Sequence, residues 1–465
     1  MESNLAAVIL AAGKGTRMKS QTAKVLHEIA GQPMLSYPVQ AARQVGCDPV
    51  QVVVGHQAEE VMAAVTGKQV AFVEQTEQLG TGHALLCAAE ALHDFSGTLL
   101  LLCGDVPLLR AETLQRMLDV HQHEQAAVTV LTAQLDNPSG YGRIVRSGDA
   151  VACIVEEKDA TAEQKRIREI NTGTYLFDAQ FVFSALKNLK TDNAQGEYYL
   201  TDVIATAVTD GLPTRAVVLD AIEEGMGIND LQQLAEASRL MRQRINGALM
   251  RSGVTMIDPE TVYIDATVQV EPGTLVHPNV MLRGATHIGA DCIVEMGVMV
   301  DDSTVAAAVH LKAGSVIEGS LIGANSKIGP MAHLRPGTQL AGDNKLGNFV
   351  ETKKAVFGEG SQASHLTYIG DAEVGRGVNF GCGTITCNYD GVNKYKTIIE
   401  DDVFVGSDTQ FVAPVHVGRN SLIAAGSTIT KDVPPDALAL SRSEQKVIAG
   451  WRLRKQKKAK ANKEG

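Results

Sequence analysis

A chain of 465 residues is roughly three average domains long, and 45% hydrophobic with 20% charged residues is the balance of an ordinary soluble protein. A formal net charge of −11 argues against a general nucleic-acid binder, and no apolar run approaches the roughly 20 residues that span a bilayer, so neither nucleic acid nor membrane insertion is expected. Only 4% of residues are aromatic against 44 glycines, a composition that repetitive, turn-rich β structure tolerates.

Up to about residue 229, short aliphatic runs alternate with longer amphipathic stretches. AAVIL (6–10), VQVVVG (50–55), TLLLLCGD (98–105) and AAVTVLTAQL (126–135) predict buried strands, and AETLQRMLDVHQHEQ (111–125) predicts a helix between two of them. That order implies an α/β domain with a mainly parallel sheet, whose ligands lie beyond the carboxyl ends of its strands. Gly13 and Asp105 both fall at such ends.

The stretch VILAAGKGTRMKSQTAKVL (8–26) is glycine-rich after a strand, as phosphate cradles are, yet it has neither Walker spacing nor a dinucleotide fingerprint, since Met18 stands where the latter needs glycine. Leu10-Ala11-Ala12-Gly13, Gly15-Thr16-Arg17-Met18 and then Lys24 and Leu26 resemble the signature of sugar-phosphate nucleotidyltransferases. The resemblance implies a Rossmann-like nucleotidyltransferase domain over 1–229. In it the small residues let backbone N–H groups approach base and triphosphate, while Arg17 and Lys24 act catalytically on the reacting phosphates. Ala23 stands where the family has proline, which predicts a slightly looser loop.

EQLGTGHAL (77–85) and LLLLCGDVPLL (99–109) match further stations of that family. By resemblance, Gln75, Gly80 and Thr81 hold the uracil, and Cys103, Gly104 and Asp105 line the nucleotide site. A lone strand-end aspartate is more often a cap or turn former. After the Gly-Thr-Arg loop and before Pro107, Asp105 instead reads as a Mg²⁺ ligand, with Asn229 in GMGIND (225–230) resembling the second. GYGRI (140–144), IVEEKDA (154–160) and EINTGTY (169–175) resemble the sugar-binding part, which gives Gly142, Glu156 and Asn171 the hexose hydroxyls and N-acetyl group.

LQQLAEASRLMRQRINGALM (231–250) has helical apolar spacing and predicts one long linker helix over 230–250. Then the period becomes six. Ile264, Val270, Val276, Leu282, Ile288, Val294 and Val300 form one register, Val316, Ile322, Ile328, Leu334, Leu340 and Leu346 a second, and Ile399, Val405, Phe411, Val417, Ile423 and Ile429 a third. All nineteen sampled positions are apolar, which a chain of this composition does not produce by chance. Such a repeat predicts a left-handed parallel β-helix of hexapeptide repeats over 251–450, with on the order of ten coils. The register slips by 53 residues between Leu346 and Ile399, five more than eight hexads, so a loop is inserted, and TCNYDGVNKYKT (386–397) is its natural place. The last fifteen residues, 451–465, carry seven Lys or Arg and predict a solvated, disordered basic tail.

Two polar passages, 347–375 and 379–409, with LRPG (334–337), resemble the acetyltransferase half of the bacterial bifunctional N-acetylglucosamine-1-phosphate uridyltransferases/glucosamine-1-phosphate acetyltransferases. The resemblance covers nearly the whole chain. It implies acetyl transfer from acetyl-CoA to glucosamine 1-phosphate in the second half, then uridylyl transfer from UTP in the first, forming UDP-N-acetylglucosamine and pyrophosphate. His365 becomes the general base for the attacking amine. Arg335 and Lys353 grip the sugar phosphate, Tyr368 and Asn379 the sugar, and Cys382, Asn388, Tyr389, Ser407, Ala425 and Arg442 belong to the acetyl-CoA site. Cys382 departs from the family's small residue and reads as a tolerated backbone contact rather than a nucleophile. The family implies a homotrimer. Seven scattered cysteines without a Cys-x-x-Cys pair, and no visible secretory signal, predict a cytoplasmic protein. A single-function nucleotidyltransferase with a merely oligomerising prism would not need the polar passage around His365, and a non-catalytic sensor would not need Arg17, Lys24 and Asp105.

Overall fold

The computed structural model describes residues 4–65, 67 and 69–462. They form two compact units that divide between Ile245 and Asn246.

In the first unit a sheet runs in the spatial order Thr214–Val218, Val128–Gln134, Glu169–Asp178, Thr98–Cys103, Leu5–Leu10, Val50–Val54, Ala71–Glu74. Glu169–Asp178 is antiparallel to both its neighbours, and the other pairs along this order are parallel. Leu5–Leu10 has the later strand Thr98–Cys103 on one side and Val50–Val54 on the other, so chain order reverses across it. A crevice opens beyond its carboxyl end for that reason. Its side chains alternate between two cores. Ala7 and Ile9 pack with Val39, Ala42, Leu114 and Met117 on one face, and Ala6 and Val8 with Leu85, Ala88, Val182 and Ile204 on the other. Burial on both faces is why these strands read as unbroken aliphatic runs.

The helix Leu231–Arg251 follows the amphipathic spacing. In the first unit its Ala237 and Met241 bury against Ile29, Met34, Leu108 and Ile228. Its opening Leu231 is exposed. In the second unit Asn246 donates through Nδ2 to the carbonyls of Pro259 (2.8 Å) and Val262 (2.9 Å).

The second unit is a parallel β-helix of 26 strands among the described residues; most are short and pair with the third strand after them, so that three sides make one coil, whereas the 13-residue strands Lys345–Phe357 and Gln362–Val374 run round the corners and pair with each other. Ile264 stacks on Leu282 and Leu282 on Val300. Each of these three side chains is buried, the reason for one aliphatic per hexad. Small polar residues tie the coils together from inside: Thr274 Oγ1 donates to the Gly289 carbonyl (2.9 Å) and accepts from the Cys292 N–H (3.2 Å).

The second of the three registers needs correction. Val305, Leu311, Ile317 and Ile322 are the buried residues, so the sides 300–305 and 317–322 are each one residue short. Val316, expected inside, is only partly buried, and Ile317 takes its place. The tail also differs from expectation: Trp451–Ala461 is helical. Lys, Arg, Gln and Ala are good helix formers, and the Lys455 ammonium lies 4.9 Å from the centre of the Trp451 ring one turn earlier.

Candidate functional site

In the first unit the loop after Leu10 turns through Gly15, whose φ of +57° is left-handed and whose missing Cβ would lie 2.5 Å from Lys24 Cβ. Only glycine lets the loop close on the stem of Lys24. Gly13, by contrast, has open space on its Cβ side, which leaves a cradle for a ligand. Ala23, in place of proline, holds φ −53° and ψ 138°, the conformation proline imposes, so the backbone there is not altered by the substitution.

The cleft has a volume of about 310 Å³ and is lined by the expected Leu10, Ala11, Ala12, Gly13, Lys24, Gln75, Gly80, Thr81, Cys103 and Asp105. Gly104 lies beneath it, its N–H donating to the Leu10 carbonyl (2.9 Å). At one end Lys24 Nζ bonds Asp105 Oδ2 and, at 2.8 Å, Asn229 Oδ1. Arg17 Nη2 reaches the same Asn229 oxygen at 2.8 Å. Two oxygens from distant parts of the chain thus converge on one cation. Both are hard oxygen donors of the kind a magnesium ion takes.

The sugar residues also converge. Asn171 N–H donates to the Gly142 carbonyl (2.9 Å), and a Cβ on Gly142 would come within 3.4 Å of both Glu156 carboxylate oxygens. Burial pushes Glu156 above the usual carboxylate range, although Thr201 Oγ1 donates to it weakly at 3.5 Å. Asn171 Oδ1 accepts from the Gly173 N–H (2.9 Å), and the Gly173 carbonyl accepts from Cys103 Sγ (3.5 Å), which joins the sugar end to the nucleotide end. Burial, and after it the Asp105 charge, pushes the Cys103 thiol up to about 12. It is therefore a neutral wall rather than a nucleophile. Sequence reasoning missed Glu197 and Gln78, which also line the cleft. Both lie in polar loops, where no periodicity marks them.

In the second unit seven of the expected residues fall on two corners of the β-helix, and Tyr368, Asn379, Asn388 and Tyr389 lie on its sides and in the insertion. His365 stacks beside Asn348 of the preceding coil and below Cys382, since the next residue's carbonyl, of Leu366, accepts from the Gly383 N–H (2.7 Å). The column continues upward: Asp408 N–H donates to the Cys382 carbonyl (2.7 Å), Gly426 N–H to the Ser407 carbonyl (2.8 Å), and Arg442 Nη1 to the Ala425 carbonyl (3.1 Å). His365, Cys382, Ser407, Ala425 and Arg442 therefore form one exposed line over four coil steps, about 19 Å at the spacing of β-strands. The coils approach closely along it, because Cβ atoms on Gly381 and Gly406 would each lie 2.4 Å from a backbone nitrogen of the next coil.

Arg335 and Lys353 occupy the other corner. The Arg335 N–H donates to the Thr352 carbonyl, and Lys353 pairs in register with Gly370. His365 lies five positions upstream of Gly370, at the far end of the side that carries Tyr368. Arg335 Nη1 is steadied by Glu351 Oε1 (2.9 Å). The Lys353 ammonium is held below its ordinary value by the charge of Lys394, then by Arg335. Three cations crowd here, with Glu351 on Arg335 and the Asp371 charge on Lys353 offsetting them only in part, an arrangement a phosphate relieves. Lys394 was missed by the sequence reading, although it lies in the anticipated insertion.

That insertion is the stretch between strands Ile385–Cys387 and Thr397–Ile399. Asn388 at its base is buried and bonds Asp371 Oδ2, and Tyr389 is exposed. Asp390 Oδ1 accepts from the N–H groups of Val392 (2.8 Å) and Asn393 (2.6 Å), which sets the turn. Asn379 pairs with Gln362 and Phe404, on the side preceding the His365 corner rather than the side of Tyr368.

Residues 7–189 match the MobA-like NTP transferase domain family, 259–378 the GMPPB C-terminal domain, and 396–431 the bacterial transferase hexapeptide (six repeats). The chain is 66% identical to the bifunctional protein GlmU of Syntrophotalea carbinolica, covering 98% of each sequence. It is 57% identical to the GlmU of Geobacter metallireducens and 56% to that of Geotalea daltonii, covering 97% of this chain and 99% of each relative.

Proposed function

The chain belongs to the GlmU family of bifunctional proteins, and from that membership we infer that it is one enzyme with two transferase activities that together make UDP-N-acetylglucosamine. The second unit transfers acetyl from acetyl-CoA to the amine of glucosamine 1-phosphate. The first unit lets the phosphate of the resulting N-acetylglucosamine 1-phosphate attack the α-phosphate of UTP, releasing pyrophosphate.

For acetyl transfer, the crowded cations Arg335, Lys353 and Lys394 bind the sugar phosphate at one corner. Tyr368 lies on the side between that corner and His365, and Asn379 approaches from the other side. The His365 imidazole takes the proton from the amine as it attacks the thioester carbonyl, and the coenzyme leaves as its thiol. The line Cys382, Ser407, Ala425 and Arg442 holds the coenzyme's extended arm, with Asn388 and Tyr389 closing the site.

For uridylyl transfer, the backbone from Leu10 to Gly13 cradles the triphosphate, and Gln75, Gly80 and Thr81 hold the base. Gly142, Glu156 and Asn171 orient the sugar, so that its phosphate meets the α-phosphate in line. Arg17 and Lys24 neutralise charge building on the transferring phosphate and on departing pyrophosphate. Asp105 and Asn229 would hold Mg²⁺, which when bound offsets repulsion between phosphate oxygens. The observation that carries the reading is the meeting of Lys24, Arg17, Asp105 and Asn229 at one end of a glycine-built cleft, on the same chain as the Arg335, Lys353 and Lys394 cluster.

The protein works as a cytoplasmic homotrimer. In support, Met331, Phe349 and Leu366 are 55–61% exposed on successive coils beside His365, a contiguous apolar ridge of the kind that marks an interface, and light scattering of the purified protein tests it. Among the described residues no helix is long and apolar enough to cross a membrane. Assays of both half-reactions on His365→Ala and Asp105→Asn test the division of labour. The first should lose acetyl transfer and keep uridylyl transfer, and the second the reverse; loss of the same half-reaction in both would refute it.

A further inference from the structure

We propose that His83 is the positioning residue that makes the first unit choose uracil over cytosine, by dictating which way the Gln75 amide faces. This rests on the uridylyl transfer proposed above. Gln75 follows the strand Ala71–Glu74, is buried and lines the nucleotide cleft. Its amide nitrogen is committed twice inside the protein: it donates to the Gly80 carbonyl at 3.2 Å and meets His83 Nδ1 at 3.0 Å. Nδ1 can accept there only when the imidazole hydrogen sits on Nε2, which lies 3.9 Å from Cys87 Sγ one helical turn on.

With both amide protons given away, Gln75 Oε1 is what remains for the base, and it makes no hydrogen bond among the described residues. An acceptor at that point takes the N3–H of uracil and opposes the N3 lone pair of cytosine. A glutamine free to turn would serve either base, because rotation by half a turn exchanges its donor for its acceptor. The specificity therefore lies in the groups that prevent the turn.

Those groups are themselves held. The His83 ring stacks on Tyr198 with centroids 6.3 Å apart. The Tyr198 carbonyl accepts from the Gly82 N–H (2.9 Å), and its N–H donates to the Leu79 carbonyl (2.8 Å). Gly80 has φ +106°, and a Cβ there would lie 2.8 Å from the Tyr198 carbonyl oxygen. Only glycine permits the closure that presents the Gly80 carbonyl and His83 Nδ1 to the two amide protons.

The test measures kcat/KM for UTP and for CTP in the full-length native chain and in His83→Leu and His83→Asn, with acetyl transfer followed on each sample. Asparagine places its Oδ1 near the position of Nδ1 and can still accept, whereas leucine cannot. His83→Leu should lower the preference for UTP over CTP roughly 10- to 100-fold, with acetyl transfer unchanged, and His83→Asn should retain most of it. Should the leucine variant not fold, His83→Ala supplies the same readout. An unchanged UTP to CTP ratio in a folded Leu or Ala variant overturns the proposal, as does an Asn variant that loses as much selectivity as Leu. A native chain that forms no sugar nucleotide from UTP would instead overturn the uridylyl reading itself, and this proposal with it.

Discussion

Replacing Gly15 by alanine should disable one half-reaction and leave the other intact. An L-residue in the left-handed region costs roughly 1–2 kcal/mol. The new methyl would also lie 2.5 Å from Lys24 Cβ, where carbon atoms settle at about 3.5–4.0 Å, so the lysine stem must retreat by about 1 Å. Lys24 Nζ is the group that meets both Asp105 and Asn229, and a displacement of about 1 Å in a positioned group costs on the order of 100-fold in rate. Uridylyl transfer, read as pyrophosphate release, should therefore fall about 100-fold, while acetyl transfer, read as thiol release on the same sample, stays at the native rate. The unfolding midpoint of the first unit should drop by some 2–8 °C. Gly13→Ala supplies the contrast, because nothing lies within 4 Å of its Cβ position and its stability should be native. If Gly15→Ala kept uridylyl transfer within about threefold of native, against the expectation for such a displacement, the loop would not be what sets Lys24.

Burial lowers the His121 pKa from 6.5 to about 4. The unfolded chain then takes up the proton first as pH falls, so stability is full above about 6.5 and is lost on the way down to about 4, by about 3 kcal/mol in all. Melting curves of the first unit between pH 7 and 4.5 should show that slope, and His121→Gln should flatten it. In the β-helix, Ile317→Ala should cost about 2–5 kcal/mol and Val316→Ala less than about 1 kcal/mol; equal losses in chemical denaturation would mean that the short side at 317–322 is misplaced. Ala23→Pro should raise stability by about 0.4–1 kcal/mol, since its φ already suits proline and its N–H donates no hydrogen bond among the described residues. A lower midpoint for that variant would contradict the reading of the loop. Lys394→Ala should raise the KM for glucosamine 1-phosphate about tenfold without touching uridylyl transfer, which steady-state kinetics of the two reactions would reveal.

What the amino-acid order determined by itself is whatever depends on neighbours in sequence. A side of the β-helix is one hexad long, so the inward aliphatics at Leu282, Val294 or Val405 are legible from spacing alone. A strand buried on both faces must be continuously apolar, so the strand ends that carry Gly13 and Asp105 are legible too. The cleft was anticipated because Leu10 to Gly13, Gln75, Gly80 and Asp105 lie at such ends or match motifs that do.

Closure in three dimensions decided the rest. One missing residue on a side moves Ile317 inward in place of Val316, and hexad counting has no means of telling which side is short. Stacking at intervals set by coil length puts His365, Cys382, Ser407, Ala425 and Arg442 on one corner and Arg335 and Lys353 on another, and it brings the unanticipated Lys394 within range of Lys353. The bond between His83 and Gln75 joins a helix to the loop after a neighbouring strand, and its direction depends on which nitrogen holds a proton. No periodicity encodes such contacts, because they depend on distances between segments that only the folded backbone sets.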